Sequence, residues 1–309
     1  MRILVTGGAG FIGSHLVDAL VEQDHEVVTL DDLETGFRAN VNARARLAIG
    51  SVADDAAVRE AVQGCEVVFH QAAHKAVLRS VEHPLITDTV NTHGTLTVLK
   101  AALDAGVRRF VHASSSSVYG GAAPLPTRED APLHPRSPYA VSKLAAEEYC
   151  RVFTELYGLE TVALRYFNVY GPRQRPDATY AAVIPLFTDA LLNGRDPLVH
   201  GDGLQSRDFT YVSDVVAANL AAANAPAESC AGRVYNVAGG TERTLLDVLG
   251  VLAGLLGVEP HPQFAEPRAG DVRHSRADPA AAAADLGFRA SIELEAGLAQ
   301  TVDWLRTLS

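Results

Sequence analysis

The sequence has 309 residues, a formal net charge of −11 and three widely separated cysteines, Cys65, Cys150 and Cys230. This acidic balance leaves no basic stripe for a phosphate backbone, and the cysteine spacing fits neither a disulfide framework nor a zinc motif, so we expect no nucleic-acid partner and no bound metal. No apolar run reaches membrane-spanning length, and the first residues lack the layout of a signal peptide, which predicts a cytoplasmic protein with no membrane partner.

The first predicted strand, residues 2–6, leads directly into a glycine run that contains Gly7, Gly10 and Gly13. Glycines at this spacing allow a tight turn, close approach of the backbone to a pyrophosphate, and close packing of a helix on a strand. The helix that begins near Phe11 would direct its free N–H groups toward that phosphate.

A second predicted strand, residues 26–30, ends in Asp31 and Asp32, about twenty residues beyond the glycine run. Asp31 would accept hydrogen bonds from the ribose hydroxyls of an adenosine, and its charge would repel a 2′-phosphate. The sequence therefore predicts a dinucleotide site whose cofactor is NAD rather than NADP.

Strand and helix patterns alternate through the rest of the first half. The predicted strands are 47–49, 66–70, 109–113 and 161–166, and the predicted helices are 56–63, 85–105 and 139–157. Such alternation is typical of a parallel sheet with helices on both faces. We therefore predict an α/β fold, a Rossmann-type doubly wound parallel sheet, with ligands beyond the carboxyl ends of its strands.

Tyr139 and Lys143 lie four residues apart in the predicted helix 139–157, and Lys143 is one of only three lysines beside 23 arginines. Ser137 suits the N-cap and Pro138 the first turn, so the tyrosine and the lysine should share one helical face. A nearby cation favours the phenolate of a tyrosine, which predicts that Lys143 lowers the pKa of Tyr139 and makes it a usable base.

The pattern changes after residue 170. A Gly- and Pro-containing loop at 171–177 is followed by predicted helices at 180–192 and 292–308, an element at 212–223 that returns to the core, a strand at 233–237, and a helix with a capping pattern that starts at 244. We predict an NAD-binding Rossmann domain over 1–170, to which segments near 205–240 return, and a smaller, discontinuous C-terminal substrate-binding lobe mainly over 171–309.

Nearly the whole chain resembles the extended short-chain dehydrogenases/reductases. The motifs that carry this resemblance are the glycine run, Ser115, Tyr139 and Lys143. The chain looks most like the NAD-dependent nucleotide-sugar epimerase/dehydratase branch of these enzymes. The resemblance implies that Tyr139 is the catalytic base, that Lys143 holds the nicotinamide ribose, and that Ser115 binds the reacting sugar hydroxyl. It also implies a UDP-sugar substrate and a homodimer formed through the helices near 85–105 and 139–157.

The resemblance further implies two sets of contacts. Cofactor contacts are expected from Gly7, Gly10, Phe11, Ile12, Gly13, Asp31, Asp32, Ser51, Val52, Gln71, Ala72, Ala73, Lys75, Asn91, Tyr139 and Lys143. Substrate contacts are expected from Lys75, Ser115, Ser116, Ser117, Tyr139, Asn168, Arg175, Val183, Arg207, Arg268, Asp271 and Ser275. Within the second set, Asn168, Arg207, Arg268 and Asp271 match residues that hold the nucleotide diphosphate. Ser51 departs from the family, in which an aspartate often binds adenine there.

Ser116 and Ser117 distinguish between reactions within the family. The 4,6-dehydratases carry an aspartate and a glutamate at these two positions, and serine serves poorly as a proton donor or base for dehydration. A decarboxylase usually also brings a glutamate to this region. We therefore predict a UDP-sugar 4-epimerase. The alternatives are a dehydratase, a decarboxylase, a simple reductase, or a non-catalytic NAD-binding sensor.

Some sequence features favour a glucuronate substrate, and others favour glucose or N-acetylglucosamine. Ser116, Ser117 and Arg175 could hold a carboxylate, which favours the conversion of UDP-glucuronate to UDP-galacturonate. Asn168 and residues 180–185 look more like enzymes for UDP-glucose or UDP-N-acetylglucosamine, the next candidates. Ser275 stands where relatives restricted to plain hexoses can carry a tyrosine, so it should leave space for a sugar substituent.

Four histidines, at 70, 74, 83 and 93, crowd one stretch, but their spacing fits no common metal site and predicts capping or solvated roles. Lys75 lies in the same stretch. We expect it to be a pocket residue, with a role that the sequence does not assign.

Overall fold

The computed structural model describes residues 1–178, 180–267 and 272–308. The strands are β1 (Arg2–Thr6), β2 (Glu26–Asp31), β3 (Arg46–Ile49), β4 (Val67–His70), β5 (Arg109–Ser115), β6 (Glu160–Tyr166), β7 (Val169–Tyr170), β8 (Leu198–His200), β9 (Ser206–Arg207), β10 (Thr210–Tyr211), β11 (Arg233–Val237), β12 (Arg243–Thr244) and β13 (Gln263–Ala265). The α-helices are α1 (Phe11–Glu22), α2 (Asp55–Val62), α3 (Val77–Glu82), α4 (Pro84–Asp88), α5 (Gly94–Asp104), α6 (Pro138–Tyr157), α7 (Val183–Leu192), α8 (Val212–Asn224), α9 (Ala227–Cys230), α10 (Leu245–Leu256), α11 (Ala280–Asp285) and α12 (Leu294–Arg306).

Seven parallel strands form the central sheet in the order β11-β6-β5-β4-β1-β2-β3. Side chains of β1 alternate between two cores, as the pleat of a strand requires. Ile3 and Val5 pack with buried residues of α1 and α8, whereas Leu4 packs with those of α2, α5 and α6. The predicted doubly wound α/β fold is confirmed.

The later part of the chain both completes this sheet and forms a separate core. β11 extends the sheet beyond β6. The later part of the chain also contributes strands to three two-stranded sheets, which are β10-β7, β12-β9 and β13-β8. Helices α7, α10 and α12 bury Phe187, Leu252 and Leu298 in a third cluster with Tyr170 and Tyr211.

The predicted helices differ from the structure most in two places. The predicted helix 85–105 contains a π-helical turn, Thr89–His93, between α4 and α5. A π turn rotates the side chains that it carries, and here Asn91 is buried against the loop before α3. Helix α7 begins at Val183 rather than residue 180, because Ala182 is extended.

Several other local predictions are correct. Ser137 caps α6 by accepting a hydrogen bond from the Ala140 amide at 3.1 Å, with Pro138 in the first turn. Thr244 and Asp247 form the reciprocal capping box of α10. Among the described residues, the structure has no helix that combines the length and the apolar composition required to cross a membrane.

Candidate active site

One pocket follows the carboxyl ends of the central strands. Its lining joins the glycine turn after β1, the loops after β2 and β4, the end of β5 and the start of α6. Among the lining residues are Gly7, Gly10, Phe11, Ile12, Gly13, Asp31, Asp32, Val52, Gln71, Ala72, Ala73, Lys75, Tyr139 and Lys143, all predicted from the sequence. Ser51 does not line it. Its hydroxyl oxygen accepts the Ala53 amide at 3.2 Å instead.

The glycine turn has the shape that a dinucleotide pyrophosphate needs. Gly7 has φ +70°, and a Cβ added to Gly13 would lie 2.2 Å from the Gly7 carbonyl oxygen, so neither position tolerates a side chain. Gly10 precedes α1 and offers no side-chain cap. The first N–H groups of α1 are therefore not capped by a side chain and can bind a phosphate, helped by the helix dipole.

Asp31 ends β2 and faces the other end of the pocket. Its carboxylate accepts the Ala9 amide at 2.9 Å and the Leu33 amide at 2.8 Å. Burial raises the pKa of Asp31, while these two hydrogen bonds oppose the rise. Asp31 thus combines two roles: it fixes the glycine turn through Ala9, and it presents carboxylate oxygens to a ribose.

We expect Asp31→Ala to weaken NAD binding by about 1.5–3 kcal/mol, or roughly 10- to 100-fold, because a charged hydrogen-bond acceptor is lost. NADP binding should fall less, since the repulsion of a 2′-phosphate is lost too. Titration calorimetry with both cofactors on cofactor-free protein measures the ratio. Asp31→Asn, which keeps the size of the side chain and one acceptor for Ala9, is the matched control for loosening of the turn. An unchanged preference for NAD in both variants would place the ribose contact elsewhere.

The loop after β4 forms the middle of the pocket, and hydrogen bonds from the buried Asn91 side chain support it. Asn91 Oδ1 accepts the His74 amide at 2.7 Å, and its Nδ2 donates to the His74 carbonyl at 3.2 Å and to Ser142 Oγ at 3.0 Å. Asn91 is buried and does not line the pocket. The structure therefore places Asn91 as a support for the loop that carries Ala73, His74 and Lys75.

The three predicted catalytic side chains meet at the opposite end of the pocket from Asp31. Ser115 ends β5, and its side chain hydrogen-bonds to Tyr139 in the first turn of α6. Lys143, one turn later, donates from Nζ to the Ala113 carbonyl at 2.8 Å and lies 5.9 Å from the centre of the Tyr139 ring. Helix and strand thus bring a hydroxyl, a phenol and an ammonium group together.

One electrostatic prediction is wrong. Burial raises the pKa of Tyr139, and the opposing contribution comes from the hydrogen bond with Ser115 rather than from Lys143. Burial also lowers the pKa of Lys143 to about 8, against the raising effect of the Glu147 carboxylate. Desolvation of the two groups therefore outweighs the lowering that was expected from their spacing.

The other predicted substrate residues that the structure describes do not line this pocket. Ser116 and Ser117 begin a 3₁₀ turn directly after Ser115, and Ser117 Oγ is buried with no hydrogen-bond partner among the described residues. Asn168 has φ +31° and donates from Nδ2 to the Asp208 carbonyl at 3.1 Å, next to Arg207 in β9. Val183 begins α7, and the Ser275 amide donates to the Ser206 carbonyl at 3.2 Å. Arg268 and Asp271 lie outside the described residues.

Arg175 lies away from the catalytic end of the pocket. Its guanidinium donates to both Asp177 carboxylate oxygens, at 2.8 and 2.6 Å, and stacks 4.7 Å from the centre of the Phe37 ring. Phe37 follows Gly36, where an added Cβ would lie 2.8 Å from Asp31 Oδ1. Asp31 and Ser115 end strands that are three places apart, which corresponds to about 14 Å. The structure gives no support to the predicted contact between Arg175 and the sugar.

The histidines near the pocket are structural groups. His70 and His74 are buried and hydrogen-bonded to threonines, and no cluster of His, Cys, Asp or Glu in the described residues could hold a metal ion. The prediction missed His74, Glu34 and Arg79 as pocket residues. Glu34 and Arg79 form an ion pair across the rim, and their separation in sequence gave no signal of it.

A second cavity lies between β8, β13 and the segment after residue 271, and the sequence did not predict it. Among its lining residues are His200, Asp202, Gln205, Phe264, Glu266 and Arg273. Arg273 is paired with Asp202, at 2.6 Å between Nη1 and Oδ1. Gln205 and Arg207, two residues apart, connect this cavity to the loop that contacts Asn168.

Comparison with known proteins identifies the family. The model of the NAD-dependent epimerase/dehydratase family matches residues 3–238. The chain belongs to this family. A UDP-glucose 4-epimerase from Mycolicibacterium smegmatis is 42% identical over 316 residues, covering all of both chains.

Two solved structures of family members share the fold over their whole length. A UDP-glucose 4-epimerase from Thermotoga maritima, solved with UDP-glucose, has a TM-score of 0.96 at 38% identity, with full coverage of both chains. A UDP-glucuronic acid 4-epimerase from Bacillus cereus, solved with UDP-glucuronic acid and NAD, has a TM-score of 0.92 at 32% identity, again over both entire chains. The predicted family, the NAD cofactor and the assignment as an epimerase-family enzyme are confirmed.

Proposed function

We propose that the protein is an NAD-dependent 4-epimerase of UDP-hexoses and that it interconverts UDP-glucose and UDP-galactose. The observation that carries this proposal is the placement of Tyr139 and Lys143, one helical turn apart with Nζ 5.9 Å from the ring centre, in the lining of the pocket that contains the glycine turn. A binding protein would have no use for this combination of groups beside a dinucleotide site.

Each catalytic side chain has a role in the proposed reaction. Ser115 holds the hydroxyl on carbon 4 of the sugar, and Tyr139 accepts its proton. NAD, when bound, would supply the redox chemistry at carbon 4, and the glycine turn, Asp31 and Lys143 would hold it. To accept this proton Tyr139 must be a phenolate, and the interaction with Ser115 favours that form against the burial that raises the pKa of Tyr139. Lys143 supplies the positive charge beside the ribose and the phenol.

The choice of glucose rests on two observations. The arginine that favoured glucuronate is held by Asp177 and Phe37 near the Asp31 end of the pocket. The glucose-type relatives also share more of the sequence, at 42% and 38% identity, than the glucuronic acid enzyme, at 32%. One observation favours glucuronate as the second candidate: the buried Ser117 hydroxyl, with no partner among the described residues, could donate to a sugar carboxylate.

The second cavity suits the nucleotide. Its lining residue Gln205 is two residues from Arg207, and Arg273, also in the lining, could bind a diphosphate by exchanging its ion pair with Asp202. His200 and Phe264 offer flat surfaces for a base. Only this part of the substrate has to stay anchored while the 4-keto sugar turns over and presents its other face.

A panel of UDP-sugars tests the proposed substrate. Purified enzyme without added cofactor is incubated with UDP-glucose, UDP-N-acetylglucosamine or UDP-glucuronate, and products are resolved by NMR. We expect repeated turnover of UDP-glucose to UDP-galactose. A dehydrogenase would stop after one equivalent, a dehydratase would release a 4-keto-6-deoxy sugar, and a sensor would form no product. Turnover of UDP-glucuronate alone would reverse the choice of sugar.

Ser275→Tyr tests whether this residue borders the sugar. A bulky ring there should penalise UDP-N-acetylglucosamine at least tenfold more than UDP-glucose in kcat/KM, since overpacking costs about 1–3 kcal/mol. Ser275→Ala, which adds no bulk, is the control. Equal losses for both sugars would place Ser275 outside the sugar site.

We also propose that the protein is a homodimer. Apolar side chains on α3, α4 and α6 are exposed, among them Val81, Leu85 and Val141, and Leu85 is 82% accessible. These helices pack on one another, so the exposed side chains can form one patch. Leu85→Glu should then give a monomer in sedimentation velocity experiments, whereas a monomeric wild type would refute the proposal.

A further inference from the structure

A buried glutamate lies behind the catalytic groups. Glu147 is on α6, one turn after Lys143, and is 3% exposed. Its two oxygens accept hydrogen bonds from Arg165, from Nε at 3.0 Å and from Nη2 at 2.7 Å. The Ser114 hydroxyl also donates to Glu147. The carboxylate is therefore fully engaged, although it lies outside the pocket.

The partners of Glu147 belong to the strands that carry the site. Ser114 in β5 and Arg165 in β6 are directly opposite each other in the sheet, and so both reach the same carboxylate on α6. Ser114 immediately precedes Ser115. Lys143 reaches the same strand through the Ala113 carbonyl. Two successive turns of α6 are thus fastened to two successive residues of β5.

Arg165 extends the connection to the turn after Ser115. Its Nη1 donates to the Tyr119 hydroxyl at 2.8 Å and to the Glu129 carbonyl at 3.1 Å. Tyr119 closes the 3₁₀ turn that carries Ser116 and Ser117, and its hydroxyl donates to Asn236 Oδ1 at 2.7 Å. A single ion pair therefore reaches α6, β5, β6 and this turn.

We propose that the buried Glu147–Arg165 ion pair is the positioning unit of the active site, which fixes Ser115, Tyr139 and Lys143 in one frame and keeps Lys143 charged. This inference rests on the catalytic roles proposed above. Glu147 and Arg165 are positioning residues, because neither lines the pocket.

The charge on Lys143 depends on the groups that face it. Glu147 favours the ammonium form, Cys150 on the same helix acts in the same direction, and burial opposes them. His70 from β4 and His112 from β5 also face Lys143, and burial keeps both neutral. Tyr139 lies on its remaining side. Among these groups Glu147 is the only carboxylic acid side chain, and its effect on Lys143 opposes the loss of water around the ammonium group.

The chain has only three lysines, Lys75, Lys100 and Lys143, so NMR of protein with ¹³C-labelled lysine side chains can follow Lys143 directly. Its resonance is assigned by its absence in Lys143→Met. In Glu147→Gln we expect the titration of Lys143 to move down by about one pH unit, as loss of a nearby opposite charge predicts. The alkaline limb of kcat should move with it, and kcat at pH 8 should fall roughly 10- to 100-fold with a smaller change in KM.

Ser114→Ala is the matched control, because it releases the strand but leaves the charge of Glu147 in place. It should lower kcat without moving the titration of Lys143. If Glu147→Gln does not fold, Glu147→Gln combined with Arg165→Gln removes both charges together, and a smaller downward shift is expected, because loss of the Arg165 cation partly offsets loss of the carboxylate.

A folded Glu147→Gln with an unshifted Lys143 titration would overturn the proposal, as would an equal shift in Ser114→Ala. The NMR titration needs no activity. An inactive wild type would therefore refute the proposed function while leaving this test intact.

Discussion

Tyr139→Phe should lower turnover of UDP-glucose by about 10²–10⁴-fold, because it removes the group that takes and returns the proton. The fold and the NAD binding should persist, since the ring remains and the change removes only the hydroxyl that bonds to Ser115. Initial rates of UDP-galactose formation measure the loss, and circular dichroism with calorimetric NAD titration measures what is retained.

Tyr149→Phe is the control for this experiment. Tyr149 lies on the same helix, outside the lining of the pocket, and packs against the core on that face of the sheet. The same loss of one hydroxyl should leave the rate within about twofold of wild type, because that hydroxyl is remote from the proton transfer. Comparable losses in the two variants, or a Tyr139→Phe enzyme near wild-type rate, would refute the assignment of Tyr139.

The parts of the site that could be predicted from sequence are those that one element determines locally. Gly7 and Gly13 are required by backbone geometry alone, and Asp31 follows from where a strand ends. Tyr139 and Lys143 share a face because a helix has 3.6 residues per turn. The parallel sheet then brings these pieces together at one edge, since all its strands end there.

The parts that could not be predicted depend on contacts between distant segments. In the sequence, Glu147 cannot be distinguished from other polar residues on its helix. In the structure, β5 and β6 bring Ser114 and Arg165 into hydrogen-bonding contact with it. The direction of the pKa shift of Tyr139 depends on burial, which spacing does not reveal. Arg175 resembles a sugar ligand in sequence, and its stacking on Phe37 and pairing with Asp177 are visible only in the structure.

A pair of buried histidines should make the protein sensitive to acid. His70 and His112 are fully buried on adjacent strands with their rings stacked, 5.5 Å between centres. The Thr95 hydroxyl donates to the Asn91 carbonyl, so it accepts from His70 Nε2 at 2.9 Å. His70 Nδ1 then accepts from the Thr6 hydroxyl at 2.8 Å. This arrangement requires the neutral imidazole, because a proton on Nδ1 would remove the acceptor that Thr6 uses.

The sign of the effect follows from the direction of the shifts. Burial lowers the pKa of His70 to about 3 and that of His112 well below its usual 6.5, with the charge of Lys143 acting the same way. The native state then binds fewer protons than the unfolded chain, so the stability that these groups contribute is complete above about pH 6.5 and is lost as pH falls below it. At pH 5 we expect His70 alone to cost about 2 kcal/mol.

Urea unfolding at pH 7.5 and pH 5 tests this expectation through the difference between wild type and variants. Asp208 contributes a pH dependence of stability with the opposite sign, because burial raises its pKa to about 7. The change in wild-type stability between the two pH values is therefore the sum of the histidine and aspartate effects. His70→Gln should reduce the loss on acidification by about 2 kcal/mol. His112→Phe should act in the same direction and should not weaken the protein at pH 7.5, since neither nitrogen of His112 has a partner among the described residues. His134→Gln, at an exposed position, is the control. If the loss of unfolding free energy between pH 7.5 and pH 5 is the same in wild type and all three variants, the buried pair does not titrate on unfolding.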